Sequence, residues 1–175
     1  MPPASASVRA RPSARRWTTP ASVGVGVGLT LLAGCSSAVS VGAAPFAGDP
    51  VCAQVVLALP DELGVARRTE TTSQATAAWT DGDARDAIVL RCGVEPLPPT
   101  TDQCVTATDE SGTSVDWVTV PGDEAAGTPW TFTTYGRLPA VEVTVPTSVT
   151  SERSTSFLVD LGRAIAHTEQ VRQCL

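Results

Sequence analysis

The chain has 175 residues, a formal charge of −6 at pH 7, and neither Lys nor Asn, all twelve of its basic residues being Arg. Four of those Arg precede residue 17, so the rest of the chain sets eight Arg against eighteen acids, a formal charge of about −10. That balance excludes the basic surfaces that bind nucleic acid or anionic lipid headgroups, and the lack of Lys excludes Schiff-base and Ser-Lys chemistry.

Met1 to Trp17 is polar and carries Arg9, Arg11, Arg15 and Arg16 without an acid, whereas Ala21 to Gly34 is apolar and small. This is the charge and length pattern of a secretory signal, and the apolar run is shorter than the roughly 20 residues of a membrane span. Residues 1–34 are therefore expected to be a signal peptide. At its end, Leu32-Ala33-Gly34-Cys35 resembles the bacterial lipobox, in which the cysteine sulfur receives a diacylglyceryl group and the chain is cut before it. Two or three acyl chains, at about 0.8 kcal/mol per buried methylene, give a stable anchor. Cys35 is the expected lipidation site, with the protein held on the outer face of the cell membrane. Residues 35–50 are small and aperiodic and are expected to form a flexible tether with a reach of roughly 20 Å.

Residues 51–175 have the size of one domain. Asp49-Pro50 is a helix-start pair, and Cys52, Val55, Val56 and Leu59 follow at helical spacing until Pro60. Ala87 to Val94 is an apolar run, broken only by Arg91, that predicts a buried strand. Val115 and Trp117 alternate with Asp116 in the next strand. Trp130, Phe132 and Thr134 do the same, as do Val141, Val143 and Val145 with Glu142 and Thr144 facing the other way. Gly136 sits where a turn is needed, so these last two strands form a hairpin. Phe157, Leu158, Leu161, Ala164 and Ile165 share one helical face. The expected fold is α+β, an antiparallel sheet with two helices on one face.

Beyond Cys35 four cysteines remain, Cys52, Cys92, Cys104 and Cys174, an even number in an exported domain. They allow three connectivities. The preferred one pairs Cys52 with Cys92 and Cys104 with Cys174, tying the first helix to a central strand and pinning the C-terminal helix. Zinc is disfavoured because no pair has CxxC spacing and the single His is remote. Asp81, Asp83 and Asp86 lack the donor pattern of a calcium loop and read as an exposed turn around Gly82. No cofactor or metal is expected.

The residues available also limit catalysis. His167 falls opposite the apolar stripe of its helix, so a triad would have to be built on one solvated residue. Paired carboxylates, the apparatus of a glycan hydrolase, are numerous but sit in no motif. Polar residues set in apolar sequence are more informative. Arg91 must be paired if its strand is buried, and Glu142 is the expected partner in a structural ion pair. Arg67, Arg68 and Arg137 are expected to form a small basic patch able to grip a carboxylate or phosphate. Trp79 and Trp117 either flank that patch or pack in the core.

Six short motifs occur in one order: ARRT at Ala66 to Thr69, TAAW at Thr76 to Trp79, IVLRCGV at Ile88 to Val94, VDWV at Val115 to Val118, FTTYGR at Phe132 to Arg137, and VEVTVP at Val141 to Pro146. As an ordered set they resemble the actinobacterial family known as domain of unknown function 3515, and the Ala-, Val- and Arg-rich usage without Lys or Asn fits a GC-rich genome. The resemblance implies a small membrane lipoprotein with no assigned biochemical role. The function expected from the sequence is a non-catalytic binding or interaction module of the cell envelope, engaging an envelope protein or a cell-wall component. The alternative is an envelope hydrolase using paired carboxylates.

Overall fold

The computed structural model describes residues 38–152 and 155–175. Residues 1–34, expected to be a signal peptide, and Cys35 lie outside the described residues. The domain is α+β, and its centre is an eight-stranded antiparallel sheet.

Helix α1, Pro50–Ala58, starts where the sequence says it should. Asp49 Oδ1 accepts the Val51 N–H at 2.8 Å, and Pro50, in the first turn, has no N–H to satisfy. The helix stops at Leu59, whose extended backbone leads into Pro60. Cys52, Val55 and Leu59 are buried, and Cys52 is bonded to Cys92 with their Cα atoms 5.5 Å apart.

The strands are β1 (Glu62–Leu63), β2 (Ala66–Thr69), β3 (Thr76–Thr80), β4 (Ile88–Val94), β5 (Cys104–Thr108), β6 (Ser114–Val120), β7 (Trp130–Thr134), β8 (Arg137–Leu138), β9 (Ala140–Val145) and β10 (Glu169–Gln170). The main sheet runs β1-β2-β3-β4-β9-β7-β6-β5, while β8 and β10 form a separate pair. Register fixes which side chains share a face. Ala77, Leu90, Val143, Phe132 and Thr119 lie in one row across β3, β4, β9, β7 and β6. Thr76, Arg91, Glu142, Thr133, Val118 and Cys104 form the adjacent row, facing the other way.

The first face is the core, where Trp79, Leu90, Val141, Val143 and Trp117 meet Val55 of α1. Helical turns close the other end, with α2 (Thr147–Glu152), a 3-10 segment (Thr155–Leu161) and α3 (Gly162–Ile165). Phe157, Leu158, Leu161, Ala164 and Ile165 are all buried as expected, but not in one helix. Their i, i+3, i+4 spacing serves a 3-10 turn as well as an α turn. The Ser/Thr-rich approach also offers hydroxyls that compete for backbone partners.

The opposite face is covered at two places, by residues 38–49 and by the C-terminal tail. Residues 38–49, expected to be part of a free tether, lie against the domain. The Val39 N–H donates to Glu70 O at 2.8 Å and the Phe46 N–H to Gly93 O at 2.8 Å, and Val39, Ala44 and Ala47 are buried. Aperiodic composition concealed this, because an irregular segment can bury scattered small residues without a repeat. At the far end, Cys174 is bonded to Cys104, Cα to Cα 6.3 Å. The tail covers Asp116, which strand alternation alone would place in solvent but which is only 6% exposed. No helix among the described residues is long and apolar enough to cross a membrane.

Candidate functional site

Strands β5, β6 and β7 extend the core face beyond the reach of α1. Between them and the 3-10 segment lies a cavity of about 670 Å³, bounded by Val105, Trp117, Thr119, Trp130, Phe132 and Leu158 among others. Period-2 alternation puts Trp117 and Thr119 side by side on β6 and Trp130 and Phe132 on β7, with Thr119 opposite Phe132. The Trp130 and Phe132 rings stack with centroids 6.3 Å apart at 16°.

Two polar atoms in this lining have no hydrogen-bond partner although they are buried, Trp117 Nε1 and Thr119 Oγ1. Thr119 satisfies its backbone N–H on Gln103 O at 2.9 Å, so only its side chain is orphaned. A buried donor or acceptor left unpaired costs about 1–3 kcal/mol, and two of them on residues that line one cavity demand a reason. Trp79, by contrast, donates its Nε1 to Pro60 O at 2.9 Å. None of the described lining side chains is ionisable.

The three arginines expected to form a patch are not brought together. Arg67 is exposed and meets Glu62 at 3.5 Å. Arg68 turns inward, and its Nη2 donates to Val56 O at 2.9 Å and its Nη1 to Leu59 O at 3.4 Å. It thus neutralises the carbonyl end of α1. Arg137 is buried. Its Nη1 donates to Thr168 O at 3.1 Å, and its Nη2 to Ser114 O at 2.9 Å and Gln170 Oε1 at 3.2 Å. Burial lowers its pKa, opposed by the charge of Asp116. The basic patch is therefore corrected to three separately engaged side chains. The adjacency of Arg67 and Arg68 on β2 and the distant position of Arg137 in sequence gave no sign of the acceptors each would meet.

Arg91 and Glu142 face each other across β4 and β9, Nη2 to Oε1 2.6 Å and Nε to Oε1 3.1 Å. In the acidic turn, hydrogen bonds from the Arg85 side chain and then from its backbone N–H hold the Asp83 carboxyl at about 2. Asp86 accepts from Ser148 Oγ at 2.6 Å. Among the described residues no group of three His, Cys, Asp or Glu side chains is placed to hold a metal ion. His167 is exposed and borders a second cavity of about 640 Å³ with Phe46, Leu138, Glu95 and Glu169. Both of those carboxylates are exposed as well.

Sequence reasoning placed Trp117 only as core or as a flank of the arginines, and it missed Thr119, Trp130 and Phe132 as a site. The available signal was the phase of two neighbouring strands, which sets two indoles, a phenyl ring and the Thr119 and Thr134 hydroxyls on one face. No curated protein and no solved structure matches the chain. Over residues 19–174 it matches the family described as "Protein of unknown function (DUF3515)", and with most of its length inside that match the chain belongs to the DUF3515 family.

Proposed function

We propose that the protein is a lipoprotein of the actinobacterial cell envelope, anchored through Cys35, whose domain is a non-catalytic binding module. The observation that carries the binding role is the cavity under β5 to β7, with Trp117 Nε1 and Thr119 Oγ1 buried and unpaired in its lining. Pockets of this size with an apolar wall and a few polar groups are the usual form of a small-molecule site. A non-catalytic role is supported by the described lining side chains, none of which takes or gives a proton near neutral pH. The anchor is supported by the Leu32-Ala33-Gly34-Cys35 sequence and the Arg-rich segment before it.

Two measurements test the reading. Cells fed a clickable palmitate analogue should label the wild-type chain and not Cys35→Ala, and equal labelling would overturn the anchor. Native mass spectrometry of the full chain extracted from envelopes should show a bound small molecule that Trp130→Ala loses. A wild-type spectrum with no adduct, or an adduct indifferent to that substitution, would overturn the binding role at this cavity.

A further inference from the structure

We infer that the cavity takes an uncharged amphipathic molecule, an apolar chain bearing a neutral ester or amide, with the carbonyl oxygen accepting from Trp117 Nε1 and bonding the Thr119 hydroxyl. This rests on the reading of the domain as a binding module and names the chemistry of its ligand.

The polarity of the orphaned groups sets the headgroup. An indole N–H only donates, so its partner must be an acceptor. The Thr119 hydroxyl donates or accepts and can share the same oxygen or take a neighbouring one. The described lining side chains set the charge, because none is ionisable and a carboxylate or ammonium brought here would lose its water with nothing opposite in sign among them to replace it. The walls set the body. Val105, Ala107, Leu158 and the stacked Trp130 and Phe132 rings present apolar surface that suits methylene groups, while Gln103, Thr108 and Thr150 make the rest of the lining polar. Both orphaned atoms are closed to solvent in this conformation. The ligand oxygen therefore reaches them by parting the lining side chains, and its arrival alters the surroundings of the Trp117 indole directly.

The test uses the full chain carrying Cys35→Ala, which leaves every described residue intact, with three soluble probes: monooctanoylglycerol, octanoate and maltose. Calorimetric titration should show saturable binding of the ester, accompanied by a change in tryptophan fluorescence, and octanoate should bind at least about tenfold more weakly. Trp117→Phe should weaken the ester by about tenfold, the loss of one hydrogen bond. Thr119→Val, which keeps the shape of the side chain, should weaken it severalfold with its melting temperature preserved, so a folding defect in Trp117→Phe would not decide the matter. Octanoate binding as tightly as the ester, or an ester affinity indifferent to Thr119→Val, overturns the inference. Maltose binding alone, lost in Trp130→Ala, overturns the ligand class and leaves the binding module standing. Binding of no probe, together with no adduct on the native chain, overturns both.

Discussion

Asp116 receives the end of the chain, its Oδ2 accepting the Cys174 backbone N–H at 2.9 Å. Its Oδ1 accepts the Thr106 hydroxyl at 2.6 Å, and its own carbonyl accepts the Tyr135 N–H at 2.8 Å. One buried residue thus joins β5, the turn after β7 and the C-terminal tail on the face opposite the helices. The Cys104–Cys174 bond holds the same tail a residue's reach away.

Replacing Asp116 by Ala should leave the Thr106 hydroxyl and the Cys174 N–H without their acceptor at a cost of about 2–4 kcal/mol. Asp116→Asn keeps an acceptor for one of them and should cost less. Urea denaturation measures both, and hydrogen exchange at Cys174 should quicken in the Ala variant. An exchange rate unchanged from wild type would show that the disulfide alone fixes the tail.

The arginines should separate sharply in stability. Arg137 is 7% exposed and gives hydrogen bonds to three acceptors from β6 and the segment after α3, so Arg137→Ala should cost about 2–4 kcal/mol. Arg67, whose side chain is 82% exposed beside Glu62, should cost under about 0.5 kcal/mol when replaced by Ala. Comparable denaturation midpoints for the two variants would contradict the placement of Arg137.

Gly93 is the point where the N-terminal segment crosses the sheet. Its φ is +87°, and a Cβ there would lie 2.8 Å from Ala47 N and closer still to the Phe46 carbonyl. Gly93→Ala therefore meets both a disfavoured backbone region and a clash with main chain that cannot move aside. A loss of about 3 kcal/mol or more is expected. Proteolysis between Val39 and Asp49 should rise with it, and a variant that melts like wild type would place those residues away from the sheet.

What could be read from the sequence was local. Asp49-Pro50 announces α1 because the cap and the first turn are neighbours in sequence, and Val141-Glu142-Val143 announces β9 because alternation is a property of one strand. Arg91 with Glu142 could be matched because a charge inside an apolar run restricts its partners to the few other charges inside strands. Arg137 gave no such restriction, since its acceptors are the carbonyls of Thr168 and Ser114 and the Gln170 amide oxygen, and every residue has a backbone carbonyl to offer. The docking of residues 38–49 and the burial of Asp116 depend on long-range placement of those residues and of the C-terminal tail. The cavity depends on how the 3-10 segment is laid over β5 to β7, which neither pattern nor propensity encodes.

Acid should act partly through the turn carboxylates. Asp83 is lowered from 3.8 to about 2 by Arg85, and Asp109 is lowered chiefly by the Ser111 hydroxyl, with the Thr113 and Ser111 backbone N–H groups adding to it. Each carboxyl is a stronger acid folded than unfolded, so its contribution is complete above about pH 4 and is lost as the pH falls toward 2. Both are solvent-exposed, and screening keeps the effect small. Asp83→Asn with Asp109→Asn should shrink the drop in melting temperature between about pH 5 and about pH 2.5. An equally steep drop in the double variant would assign the acid sensitivity to other carboxylates.

Thr119→Val should do to stability the opposite of what it does to binding. The hydroxyl is buried without a partner, and replacing it by a methyl group of the same shape removes that desolvation penalty and adds apolar contact with Phe132, its neighbour on β7. The variant should be as stable as wild type or more stable by about 1 kcal/mol. Most substitutions at a position 7% exposed destabilise, so a gain here marks a residue whose polarity serves something other than the fold. Thermal melts of the two chains without ligand read the difference. If Thr119→Val instead melts lower by an amount typical of a lost buried hydrogen bond, the hydroxyl is paired in solution, and the case for a ligand oxygen at that position fails with it.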